Sequence, residues 1–185
     1  MQKTLLFWCP FVGDVGTAKA VLESAKSLSE SKNYKCKIFN AYGEFDKYRP
    51  LLKKNKIQEI KLIKNTLIKQ LPKDGYFWSR LNYILIFIFS FLPLLFYLVR
   101  NKNEYLFIYL ITSLPLLLVS IFNLNNKIIF RVSGKIRFTI LRKLVFLIAK
   151  KKIKRILIQT TESKNRILKK GIFNKNILNI IRDPI

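Results

Sequence analysis

The chain has 185 residues, with 35 Lys plus Arg, 10 Asp plus Glu and no His, for a formal charge of +25. The length predicts one domain with a sizeable core, and an apolar half argues against disorder. The missing His excludes Ser-His-Asp and Cys-His triads and His-ligated metals. Cys9 and Cys36 are too few for a zinc cluster or a disulfide framework, so a reducing compartment is the expectation. Heavy use of Ile, Lys and Asn, as in proteins of AT-rich genomes, is one source of the charge. A negatively charged neighbour is the other, and nucleic acid, anionic lipid and phosphorylated substrates are the classes that suit it.

In chain order, Lys3 to Cys9 is a short apolar run ended by Pro10. It reads as a strand buried on both faces, and it is too short for a signal peptide, so no secretory leader is expected. A loop with Gly13 and Gly16 follows. Ala18, Val21, Leu22, Ala25 and Leu28 then recur at helical spacing, with Thr17 as the expected N-cap. Lys35 to Asn40 is a second strand, which completes a βαβ unit. Ile57 to Ile63 alternates weakly, as a third strand does.

Tyr83 to Val99 is nearly all apolar, and so is Tyr105 to Leu124. Each approaches the ~20 residues that span a bilayer, so one reading is a transmembrane hairpin. The other, preferred here, is a buried or membrane-docked helix, then a strand from Tyr105 to Ile111, then a helix. Thr112-Ser113-Leu114-Pro115 supports it, because a hydroxyl cap and an early Pro mark a helix start that a span would not need at its middle. Lys127 to Val132 reads as a strand, Arg137 to Lys150 as a helix with Phe138, Leu141, Val145 and Ile148 on one face, and Arg155 to Gln159 as a strand. Thr160 or Thr161 caps a short helix ending at Gly171, and Ile177 to Ile181 is the last strand. The repeated β-α-β pattern predicts an α/β fold with a Rossmann-like, doubly wound, mostly parallel sheet.

Ligands of such sheets bind where strands end at their carboxyl side. Two loops there have suitable chemistry. Gly13-Asp14-Val15-Gly16-Thr17 offers close backbone approach and a helix N-terminus that favours an anion, although its spacing is neither G-x-G-x-x-G nor a Walker loop. Asp14 is the one carboxylate in these loops, and its expected role is to stabilise the helix start. Ser133-Gly134-Lys135-Ile136-Arg137 supplies a glycine and cations suited to phosphate. Lys127 to Lys170 carries 15 Lys or Arg and one acid, Glu162. With the amphipathic helix before Lys150, that stretch suits anionic lipid. Nucleic acid is the rival, but no aromatic residues interleave with the cations and no known binding module fits, so no nucleic-acid partner is expected.

These loops, in this order, resemble the N-terminal domain of GT-B glycosyltransferases, specifically glycosyltransferase family 4. The carrying segments are Pro10 to Ala20, Trp78-Ser79-Arg80-Leu81, Leu110 to Leu116, Arg131-Val132-Ser133-Gly134, Gly171-Ile172-Phe173 and Arg182-Asp183-Pro184-Ile185. The chain departs from the pattern at Tyr109, where relatives often have His, and at Lys135, where they tend to have Pro. The resemblance implies an acceptor-binding domain, 1–182, with 183–185 opening the hinge to a C-terminal donor domain that lies outside this sequence. It implies hexosyl transfer from a nucleotide-sugar to a lipid-linked or glycan acceptor in cell-surface polysaccharide synthesis, with retention of configuration, no metal or other cofactor, and little turnover without the donor domain, supplied in cis or trans.

The expected acceptor- and phosphate-binding residues are Gly13, Asp14, Gly16, Thr17, Thr112, Ser113, Ser133, Gly134, Lys135 and Arg137; the catalytic residues are left unassigned. The 83–99 segment, through Phe87, Phe89, Phe91, Leu95 and Phe96, is expected to associate with an anionic membrane surface from the cytoplasmic side. The alternative is a small integral membrane protein with a helical hairpin and basic cytoplasmic flanks.

Overall fold

The computed structural model describes residues 2–12, 16–31, 33–63, 67–72, 75–109, 113–132 and 138–181. It divides into two compact units, Met1–Asn101 and Lys102–Ile185.

In the first unit, strand β1 (Lys3–Trp8) leads to helix α1 (Gly16–Glu30) and strand β2 (Tyr34–Asn40). Helix α2 (Arg49–Lys54), strand β3 (Gln58–Lys61), helix α3 (Leu67–Gln70) and helix α4 (Tyr76–Arg100) follow. The strands run in the order β3-β2-β1, parallel, with Leu5 beside Cys36 and Ile38 beside Glu59. Leu5 to Trp8 are all buried, as a parallel strand covered on both faces requires. α1 packs through Ala18, Val21, Leu22 and Ala25, while Leu28 is half-buried. The sequence expectations assigned no helix between Asn40 and Ile57. α2 forms there because Pro50 opens its first turn and Leu52 buries.

In the second unit, strand β4 (Tyr105–Ile108), helix α5 (Leu114–Ile121), strand β5 (Lys127–Val132), helix α6 (Ile140–Ala149), strand β6 (Ile153–Ile158), helix α7 (Thr161–Leu168) and strand β7 (Leu178–Ile180) alternate. The order is β4-β5-β6-β7, again parallel. Phe146 of α6 is buried at the centre of this core, with the rings of Phe130, Phe138 and Phe173 at 5.9, 6.1 and 5.3 Å. Such pairs add about 0.5–1.5 kcal/mol each beyond burial. Thr160 caps α7, accepting the Ser163 N–H at 3.2 Å, and Gly171 takes a left-handed φ of 65°.

The fold class is therefore α/β, Rossmann-like, with parallel strands throughout the described pairs. Two local expectations change, and the preferred strand-then-helix reading of the second apolar run holds. Thr17 lies inside the first turn of α1 and is not its cap, because the helix already begins at Gly16. α6 starts at Ile140 behind the cap Thr139, and it buries Val145, Phe146 and Ala149 while leaving Ile148 exposed. The second apolar run divides into β4 and the eight-residue α5, which is too short to span a bilayer. Among the described residues, α4 is the one helix long and apolar enough to cross a membrane.

Candidate functional site

Of the expected site residues, Gly13, Asp14, Thr112, Ser133, Gly134, Lys135 and Arg137 lie outside the described residues. Gly16 and Thr17 open α1, after the carboxyl end of β1. The backbone at Gly16 is helical, without positive φ, and a Cβ built there meets nothing within 4 Å. The fold itself thus does not demand glycine at this position. Ser113 stands at the N-cap position of α5, after the carboxyl end of β4, with an extended backbone and no capping bond from its side chain. Its hydroxyl is buried and has no partner among the described residues, an arrangement that costs roughly 1–3 kcal/mol unless something binds it. Tyr109, where the family pattern often has His, is buried with the Arg131 guanidinium 5.4 Å from its ring centre.

At the carboxyl end of β2 the structure builds a polar cluster that the sequence expectations missed. Asn40, the last residue of β2, is fully buried. Its carbonyl oxygen accepts the Gly43 N–H at 2.8 Å and the Phe45 N–H at 3.3 Å. Its amide donates to Asp46 at 2.9 Å and to Glu59 at 2.6 Å. Arg49 closes the network, bonded to Asp46 and, at 3.1 Å, to Glu59. Next to it the carboxylate of Glu44 is buried and accepts backbone N–H groups of Ala41 and Tyr42 at 2.9 Å and of Gly43 at 3.1 Å. Gly43 has a φ of 113°, which an L side chain rarely adopts.

This loop is tied to the one after β1, because the Tyr42 hydroxyl donates to the Phe11 carbonyl at 2.6 Å and the Phe11 and Phe45 rings meet edge to face at 5.2 Å. Burial pushes the Glu44 carboxyl up to about 7, partly offset by its backbone donors. Burial also raises the Cys9 thiol to about 12, with the Glu44 charge adding to it, and the Cys36 thiol to about 11. Both cysteines are free, buried and poor nucleophiles. The sequence signal for this cluster was weak: a strand-ending Asn followed by Ala-Tyr-Gly-Glu.

α4 buries one narrow stripe, Asn82, Ile86, Ser90, Leu94 and Leu98, at every fourth position. Along it Tyr97 meets the Phe39 ring at 5.2 Å and its hydroxyl accepts from Lys37 at 3.0 Å. The outer side is apolar. Of the expected membrane residues, Phe87, Phe89 and Phe96 are exposed, whereas Phe91 and Leu95 are half-buried at the flanks. Ile84, Ile88 and Leu92 complete the exposed face.

Parallel strands with loops gathered at their carboxyl ends define a Rossmann-like α/β fold of the kind that binds substrates at those ends. No family model matches the chain, and no curated protein matches it. Among solved structures the fold is similar to that of a glycosyltransferase from Rickettsia africae ESF-5, at 16% identity and a TM-score of 0.60. The match covers 100% of this chain and 44% of that one, so the chain spans less than half the length of this neighbour.

Proposed function

We propose that this chain is the acceptor-side half of a glycosyltransferase of family 4 type. It would pass a hexosyl group from a nucleotide-sugar to a lipid-linked glycan acceptor in cell-surface polysaccharide synthesis, with retention of configuration and without a metal. The observation that carries this reading is the similarity of the whole chain to under half of a solved glycosyltransferase. In the second unit the Ser113 hydroxyl, without a partner among the described residues, and Ser133 to Arg137 are proposed to meet acceptor or phosphate, as is Gly13 to Thr17 in the first unit. The acceptor hydroxyl is the nucleophile, and the nucleotide leaving group is stabilised mainly by a donor domain beyond this chain.

The chain works from the cytoplasmic side, as a peripheral protein on the inner face of the plasma membrane. The exposed apolar side of α4 supports the peripheral docking, because a helix that buries one stripe, from Asn82 to Leu98, has its other face free to lie in the interface. The test is binding of a polyprenyl-linked sugar and of nucleotide-sugars by the purified chain. Saturable acceptor binding, weak donor retention and no turnover are expected. Robust transfer by the 185-residue chain alone overturns the half-enzyme reading, and failure to bind any lipid-linked sugar overturns the acceptor role.

A further inference from the structure

α6 is apolar on two opposite sides. Val145, Phe146 and Ala149 face the core. On the other side Ile140, Leu144, Leu147 and Ile148 are 80, 52, 46 and 57% exposed, and their i, i+4, i+7, i+8 spacing makes them one stripe. α5, which packs beside α6, ends in the exposed Ile121 and Phe122. A helix with apolar residues on two opposite sides, broken only by Arg142 and Lys143, needs a second apolar environment for its outer face.

The chemistry around the stripe says which environment. The helix runs directly into Lys150 and Lys151, which line a concavity of about 300 Å³ whose other walls include Ile153, Phe173 and Ile177. Between Lys127 and Lys170 the single acid, Glu162, is paired with Arg166 at 2.9 Å. A second copy of this chain would bring the same cations against these. An anionic bilayer complements both features, offering an acyl boundary to the stripe and phosphate to the lysines.

We propose that the outer face of α6 docks on anionic phospholipid, with the stripe in the acyl boundary and head-group phosphate at Lys150 and Lys151. The proposal rests on the membrane reading above but concerns a different helix from α4, in the second unit. The test uses the full chain carrying Leu147→Cys with an environment-sensitive fluorophore, and in parallel Phe87→Cys on α4. The native Cys9 and Cys36 are buried, which keeps labelling at the new site.

Vesicles of phosphatidylcholine alone, or mixed with phosphatidylglycerol, are added at low and high salt. The label at 147 is expected to shift to the blue only with anionic vesicles, with the shift reversed by salt. Lys150→Gln with Lys151→Gln is expected to weaken binding about 30-fold, given the usual contribution of a cation at such a surface. A label at 147 that stays in water while the one at 87 enters lipid overturns this proposal and leaves the α4 reading standing. Equal shifts on neutral vesicles, or lysine variants that bind as tightly as the parent, overturn the phosphate assignment. Shielding of 147 without vesicles, rising with protein concentration, overturns the proposal in favour of a second copy. If neither label enters lipid, both readings fall.

Discussion

Replacing Ile88, Leu92 and Phe96 together by Gln strips the outer face of α4 without touching the stripe that holds it to the core. The three side chains are 59, 57 and 60% exposed. Full burial of such a side chain is worth about 1.5–3 kcal/mol, so the exposed part of each contributes about 1 kcal/mol on entering an apolar interface. The triple variant therefore loses about 3 kcal/mol of partitioning, or about two decades in the binding constant. Gln is a good helix former, so the helix itself is preserved.

Sedimentation with anionic vesicles measures the loss, and circular dichroism checks that the melting temperature is kept. Parent and variant pelleting alike would refute docking through this face. Resistance of the parent chain to carbonate extraction would refute the interfacial geometry and favour a spanning helix.

Glu44 makes stability depend on pH. Its folded pKa of about 7 lies above the ordinary 4.5, so the native state holds its proton longer than the unfolded chain does. Stability is full below about 4.5, falls as pH rises, and levels off above about 7, a loss of about 3 kcal/mol. Glu44→Gln should flatten that slope in urea titrations, and parallel profiles for the two proteins would sink the assignment. Phe146→Ala should cost about 3–5 kcal/mol, because the ring is buried against three others, and a smaller loss in chemical denaturation would mean that the second unit repacks. Gly43→Ala forces a side chain onto a φ of 113°, for roughly 1–3 kcal/mol, read as a lower melting temperature. Thr160→Ala removes the α7 cap and should cost about 1 kcal/mol by the same measurement.

Some of the molecule could be read directly from neighbouring residues. The bounds of β5, Lys127–Val132, the run that becomes β1 and a threonine cap at 160 or 161, which the structure resolves to Thr160, follow from signals a few residues long. The start of α4 did not, since the helix begins at Tyr76, behind Gly75 with its φ of 89°, and not at Tyr83. Arg80 lies over the Tyr76 ring at 3.8 Å, so the exposed first turn carries its own i,i+4 contact. The Asn40–Glu44 cluster was equally hidden, because nothing local says that a carboxylate in a turn will be buried against its own backbone.

Apolar periodicity and caps were enough to establish an α/β chain of alternating strands and helices, since backbone geometry and side-chain spacing are local. Which side of an apolar helix is covered was decided by contacts distant in the chain. In α6 it is Phe146 that meets Phe130 and Phe173, and Ile148 is left outside. Periodicity ranks the faces of a helix by hydrophobicity, but when two opposite faces are both apolar only the shape of the surrounding core selects between them.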